Sequence, residues 1–307
     1  MSASKKGIIY FLLWFLAAGC LLSVFLSAHK EQGEASKHYP EEPKRIVSLA
    51  PNITEILFQL GLEKQIAAVA SESDYPPEAE IKKKVGTFWQ PNVESILALK
   101  PDLVITLAFE QQRAVAETLR RLGYPVLTLN IKRICHLYEA IEKIGYATGT
   151  EDKASVLIHD IKKKLDEFIT TYSGMKKIRV LWVIQNEPLR VAGRNTFLNE
   201  MIELAGGENA IGVTLQQYPA ISTEELFACG TEVIIHSAMG EEELGEQQLK
   251  AEHFWSTMPH LPAVKNENIY VLDSDALLRL GPRIPEGVEE IADILHKNEQ
   301  AEKESSG

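Results

Sequence analysis

Five aromatic residues of this 307-residue chain combine side-chain type and position in a way that suggests binding. Tyr75, Phe88, Trp89, Phe109 and Tyr218 lie on segments that follow short β-forming runs. In parallel α/β sheets, ligands collect beyond the carboxyl ends of the strands. Flat rings there suit a flat, largely apolar ligand; the competing reading is that they fill the core beneath the loops. Asp275 and Arg279, on a polar loop after the last strand-like run, carry groups able to hydrogen-bond ligand amides. Arg283, just beyond, fits a structural cation near the final helix at least as well. Glu94 and Glu224 each sit two residues after a capping residue, Asn92 and Ser222, where a carboxylate complements the helix dipole.

Catalytic signatures do not accompany these residues. The chain has no GxSxG elbow, P-loop, HExxH or GxGxxG, and nothing in the spacing of Ser48, His260 and Asp275 joins them into a triad. The eight histidines do not cluster, so no metal site is expected, and no cofactor is called for. Cys135 and Cys229 are far apart and read as two buried free thiols. The net charge of −11 argues against nucleic acid, whose phosphates need a basic face. The chain is therefore expected to be a binder and not an enzyme.

The elements that must position these residues alternate. Strands are expected at 45–49, 66–69, 103–107 and 126–129, and helices at 93–99 and 114–122. Asn52 is a candidate cap for a helix starting near Ile53 and ending at Gly61, with Glu55 placed for a capping box. A second set follows: strands at 178–184, 233–236 and 269–272, and helices at 195–205, 223–227 and 285–296. The stretch NVESILALKPDLVI (92–105) lies over STEELFACGTEVII (222–235) without gaps, placing Glu94 on Glu224. Between the sets, Ala154, Leu157, Ile158, Ile161, Leu165, Phe168, Ile169 and Tyr172 repeat with the rhythm of one amphipathic helix. At ~1.5 Å per residue it is roughly 33 Å long, stiff enough to oppose large hinge motion. The predicted fold class is α/β: two Rossmann-like βα lobes joined by a single long backbone helix. The expected divisions are a polar linker at 29–43, an N-terminal lobe at 44–148, the backbone helix at 149–173, a C-terminal lobe at 174–297 and a tail at 298–307.

Ahead of the linker, Lys5 and Lys6 precede an uncharged apolar run over 7–28. This is the pattern of an export signal, and it is also long enough to remain as a membrane anchor. Three fates fit: lipidation at Cys20 after LAAG, retention as an anchor, or cleavage after Ala28. Each places the rest of the chain outside the cytoplasmic membrane, periplasmic or extracytoplasmic, with tethering favoured.

The stretches RIVSLAPNITEILFQLG (45–61), SDYPPEA (73–79), VGTFWQPNVESILALKPDLVI (85–105), AGGENAIG (205–212) and LLRLGPRIPEGVEEIA (277–292) resemble the helical-backbone (class III) substrate-binding proteins of ABC importers. The resemblance covers about residues 44–297 and is strongest to the cobalamin-binding members. It implies a ligand cleft between the lobes, cobalamin or a related corrinoid as ligand, and contacts from Tyr75, Trp89, Phe109, Tyr218, Asp275 and Arg279. It also implies that Glu94 and Glu224, one per lobe, dock on arginines of a permease dimer. The sequence departs from those members at Ala276 and near Leu107–Ala108, where they carry aromatics. A ferric-siderophore or haem binder of the same fold, or a membrane-anchored ligand-sensing domain, therefore stands as an alternative.

Overall fold

The computed structural model describes residues 42–238, 242–272 and 277–304. Four strands, β1 (Ile46–Ser48), β2 (Ile66–Val69), β3 (Leu103–Leu107) and β4 (Val126–Leu129), form a parallel sheet in the order β2-β1-β3-β4. These strands are almost wholly buried and apolar, as a sheet covered on both faces requires. Five helices accompany them: α1 (Pro51–Gln59), α2 (Pro77–Glu80), α3 (Val93–Ala98), α4 (Glu110–Arg121) and α5 (Ile134–Thr148). The predicted backbone helix is α6, Glu151–Tyr172.

The second lobe contains β5 (Ile178–Gln185), β6 (Arg190–Val191), α7 (Phe197–Leu204), β7 (Gly207–Asn209), α8 (Thr223–Ala228), β8 (Val233–Ser237), α9 (Leu244–Ser256), α10 (Pro262–Lys265), β9 (Ile269–Leu272) and α11 (Ile284–Glu304). Strand β5 pairs with β8 along one edge, and with β7 and then antiparallel β6 along the other. β9 pairs with β8, so β7-β5-β8-β9 repeats the order of the first sheet. The predicted overlay holds element for element: α3 and β3 occupy the same places in their stretch as α8 and β8 in theirs. Asn92 and Ser222 both cap as expected, accepting the N–H of Ser95 and of Glu225.

Three expectations fail for identifiable reasons. Helix α1 begins at Pro51, capped by Ala50, because proline at the first helical position needs no N–H partner. Asn52 is thus inside the helix and donates from Nδ2 to the Leu280 carbonyl at 3.0 Å, and Glu55 caps nothing. Helix α11 continues to Glu304, through most of the expected tail. Cys135 is exposed in the first turn of α5, whereas Cys229 is buried; both are free thiols. The run 7–28, most of the linker, Cys20 and Asp275 lie outside the described residues. Among the described residues no helix is long and apolar enough to cross a membrane.

Two clasps tie the lobes beside α6. The segment from Leu277 to Arg283 carries both cations of the first. Arg279 pairs through both Nη atoms with the Asp74 carboxylate, and Arg283 donates from Nε (3.0 Å) and Nη2 (2.8 Å) to Glu55. The Arg283 guanidinium also lies 3.8 Å from the centre of the Tyr75 ring. Burial raises the Glu55 carboxyl above its ordinary range, even against the pull of Arg283. At Asp74 burial also pushes upward, but the Arg279 hydrogen bond and charge outweigh it and hold the carboxyl low. In the second clasp Glu200 of α7 accepts from Arg133 Nη2 at 2.8 Å and from the Ile134 N–H at 2.9 Å, at the N-terminus of α5.

In the core of the second lobe, the indole N–H of Trp255 donates to His236 Nε2 at 2.7 Å. Burial pushes the imidazole down to about 4, so it stays neutral. The unfolded chain takes up this proton near pH 6.5 while the fold refuses it, so stability falls as pH drops from 6.5 toward 4. The stability difference between wild type and His236→Gln should therefore shrink by about 3 kcal/mol between pH 7 and pH 4, as read by urea unfolding. Arg283→Ala strands the Glu55 carboxyl, which is 3% exposed. It should destabilise by about 3–5 kcal/mol, with a deficit that narrows as falling pH protonates the raised carboxyl; a pH-independent deficit would show that the charge is not the cause.

Candidate functional site

The first lobe presents an aromatic ledge built by local sequence. Gly86 has φ +99°, and a Cβ there would come 2.5 Å from the Gln90 carbonyl oxygen, so only glycine permits this turn. The turn carries Phe88 and Trp89. The Phe88 N–H donates to Glu72 Oε2 at 2.7 Å, and its carbonyl accepts from Gln112 Nε2 at 2.9 Å. Gln112 is fully buried; it also donates to the Leu49 carbonyl and accepts from Thr106 and the Leu107 N–H, which locks its own position. Ring centroids separate Phe88 from Trp89 by 4.9 Å, Phe88 from Phe109 by 4.8 Å and Trp89 from Phe109 by 5.6 Å. Such pairs are worth about 0.5–1.5 kcal/mol each, yet Trp89 remains 59% exposed. The braced loop thus holds a large aromatic ring out in water.

This ledge walls a cavity of about 310 Å³ at the carboxyl ends of the first sheet, with Leu278, Arg279 and Leu280 of the clasp segment closing the far side. The second lobe has a cavity of about 260 Å³ at the carboxyl ends of β5, β8 and β9, lined by Gln185, Asn186, His236, Ser237 and Lys250 among others. Here His236 Nε2 is occupied by Trp255, which fixes the proton on Nδ1.

The predicted residues separate accordingly. Trp89 and Arg279 line the first cavity, and Phe109 supports Trp89 and Phe88 from beside it. Tyr75 lines neither cavity: one face of its ring carries Arg283, so it belongs to the clasp. Tyr218, on the loop between β7 and α8, is 36% exposed and also lines neither cavity; its carbonyl accepts from Arg190. Glu94 and Glu224 are both exposed in the first turns of α3 and α8. Reading the sequence missed Asp74, Glu72, Gln112 and the Glu200 clasp. Asp74 stands inside the quoted SDYPPEA stretch, but its partner is more than two hundred residues away. Among the described residues no group of acidic, histidine and cysteine side chains could hold a metal.

Comparison with known proteins agrees with this geometry. The family pattern described as periplasmic binding protein matches residues 46–276. The vitamin B12-binding protein of Vibrio cholerae is 29% identical over 261 residues, 85% of this chain and 91% of that one. An ABC transporter substrate-binding lipoprotein of Bacillus subtilis is 33% identical over 265 residues, 83% of this chain and 81% of that one. Among solved structures, a possible iron-binding (periplasmic solute-binding) protein of Staphylococcus epidermidis superposes with a TM-score of 0.73 at 28% identity, covering 83% of this chain and 99% of the other. The match begins at the first strand and runs through both lobes to the clasp segment, and the chain belongs to the periplasmic binding protein family.

Proposed function

We propose that this chain is an extracytoplasmic solute-binding protein that captures cobalamin or a related corrinoid between its lobes and delivers it, chemically unchanged, to an ABC importer. The observation that carries this reading is the braced aromatic ledge: Trp89 is exposed, backed by Phe88 and Phe109, and set over a cavity whose other wall is the clasp segment. A flat macrocycle would stack there and be covered by the amide, hydroxyl and imidazole side chains of the second lobe's cavity. The Vibrio relative's name supports a corrinoid. The similarity to the possible iron-binding protein of Staphylococcus favours an iron-bearing ligand, a ferric siderophore or haem, as the second reading. Asp275, outside the described residues, would bind ligand amides; Arg279, paired with Asp74, would wall the cleft and Phe109 would back the ledge, whereas Tyr75 serves the clasp and Tyr218 lines neither cavity. Tethering through residues 1–28 or through a lipid on Cys20 finds support in the Bacillus lipoprotein.

Glu94 and Glu224 supply the docking half of the proposal. Each lies exposed at the same place in its lobe, as a two-fold permease dimer with basic pockets would require. Their dipole interaction is worth about 0.3–1 kcal/mol and needs neither residue to match the other.

Thermal melts with cyanocobalamin, haemin and a ferric siderophore should show the largest rise for cyanocobalamin; a larger rise with an iron ligand selects the second reading. Trp89→Ala should weaken binding about ten- to a hundredfold in fluorescence titration while lowering the melting temperature of the free protein by only several degrees, the loss of its two ring contacts. The pair Glu94→Ala with Glu224→Ala should abolish uptake by cells while retaining ligand affinity. Unchanged uptake would point to the membrane-anchored sensing role instead.

A further inference from the structure

The two cavities differ in the side chains that line them, rings and aliphatics in the first against amides, a hydroxyl and an imidazole in the second, but share one electrostatic property. Each cation that their described lining residues present is already met by a carboxylate: Arg279 by Asp74, and Lys250 by Glu242. Glu72 adds a further negative charge on the first wall. The second lobe offers His236, only 9% exposed, whose Nε2 is taken by Trp255 and whose Nδ1–H is left as a donor. Burial keeps this ring neutral, so it brings a hydrogen bond without a charge. On the same wall Asn186 Oδ1 is enclosed and has no hydrogen-bond partner.

These groups ask for a particular ligand edge. A carboxylate entering the cleft would be desolvated without a free cation among the described lining residues to meet it, and it has no proton to give Asn186 or Glu72. A carboxamide carries no charge, accepts from His236 Nδ1 and donates to Asn186 Oδ1 or to Glu72. On the reading that the two cavities are halves of one ligand cleft, we infer that the cleft selects flat macrocycles whose periphery bears uncharged carboxamides and rejects those bearing carboxylates, with His236, Asn186 and the paired Lys250 and Glu242 as the specificity-determining residues. Rejection here comes from unpaired buried groups, which discriminate more sharply than ring shape does.

The test compares matched probes on the full chain by Trp fluorescence titration: cyanocobalamin against its monocarboxylic acid, in which one peripheral amide is hydrolysed, and haemin against its dimethyl ester. Wild type should bind cyanocobalamin about tenfold or more tightly than the monocarboxylic acid. Glu242→Gln, an exposed change that frees Lys250, should narrow that ratio about threefold. Equal affinities in wild type, or a ratio unmoved by Glu242→Gln, overturn the inference while the cobalamin reading stands. If neither cobalamin form binds, the corrinoid reading fails and the porphyrin pair decides this one: tighter binding of the ester upholds charge rejection, and tighter binding of haemin overturns it. Silence from all four probes overturns the cleft and this inference with it.

Discussion

The geometry of the molecule depends on two guanidinium groups reaching across from one short segment. Arg279 and Arg283 meet Asp74 and Glu55, and the Leu280 carbonyl between them accepts from Asn52. Guanidinium forks are suited to this because two parallel hydrogen bonds set direction as well as distance. The pairing is expensive in isolation: burial opposes the charge on Glu55. Its value is positional. It brings the backbone of Leu278 to Leu280 against the first lobe as one wall of the aromatic cavity, and an apolar replacement of equal area would not specify that register.

The Glu200 clasp complements it on a different chemical basis. One carboxylate oxygen meets Arg133, and the other meets a free N–H at the start of α5. With α6 between the lobes, their relative motion is restrained by a helix and by charge pairs. The exposed Glu94 and Glu224, held by equivalent caps at the starts of equivalent helices, inherit their spacing from this frame.

The aromatic ledge illustrates how a buried polar residue supports an exposed apolar one. Gln112 uses both amide ends to hold three separate backbone segments, and the Gly86 turn admits no side chain. Trp89 therefore stays out in water because the loop beneath it cannot collapse. On the second lobe's wall the Trp255 to His236 hydrogen bond fixes a neutral imidazole, beside amide side chains and the paired Lys250 and Glu242.

Periodicity and local chemistry determined much of this from the sequence alone. The buried strands 66–69, 103–107, 126–129 and 269–272, the 22-residue α6 and the capped pair α3 and α8 are written in short-range patterns, since each depends on neighbours within a few residues. Helices α5 and α9 were not read, although α5 has a clear apolar stripe; α9 has little amphipathic contrast to reveal it. Asn52 and Glu55 looked like a capping box because that motif is local, and the partners that claimed them, Leu280 and Arg283, are 228 residues away. The same holds for Tyr75, an aromatic of the right type in the right loop, which tertiary contact placed under a guanidinium instead of on the cavity wall. Side-chain type announced that aromatic and charged groups would gather at the strand ends. Which of them face the cavity and which hold the lobes together was decided only when distant segments met, because a charge in a low-dielectric interior must find its partner wherever the fold brings one.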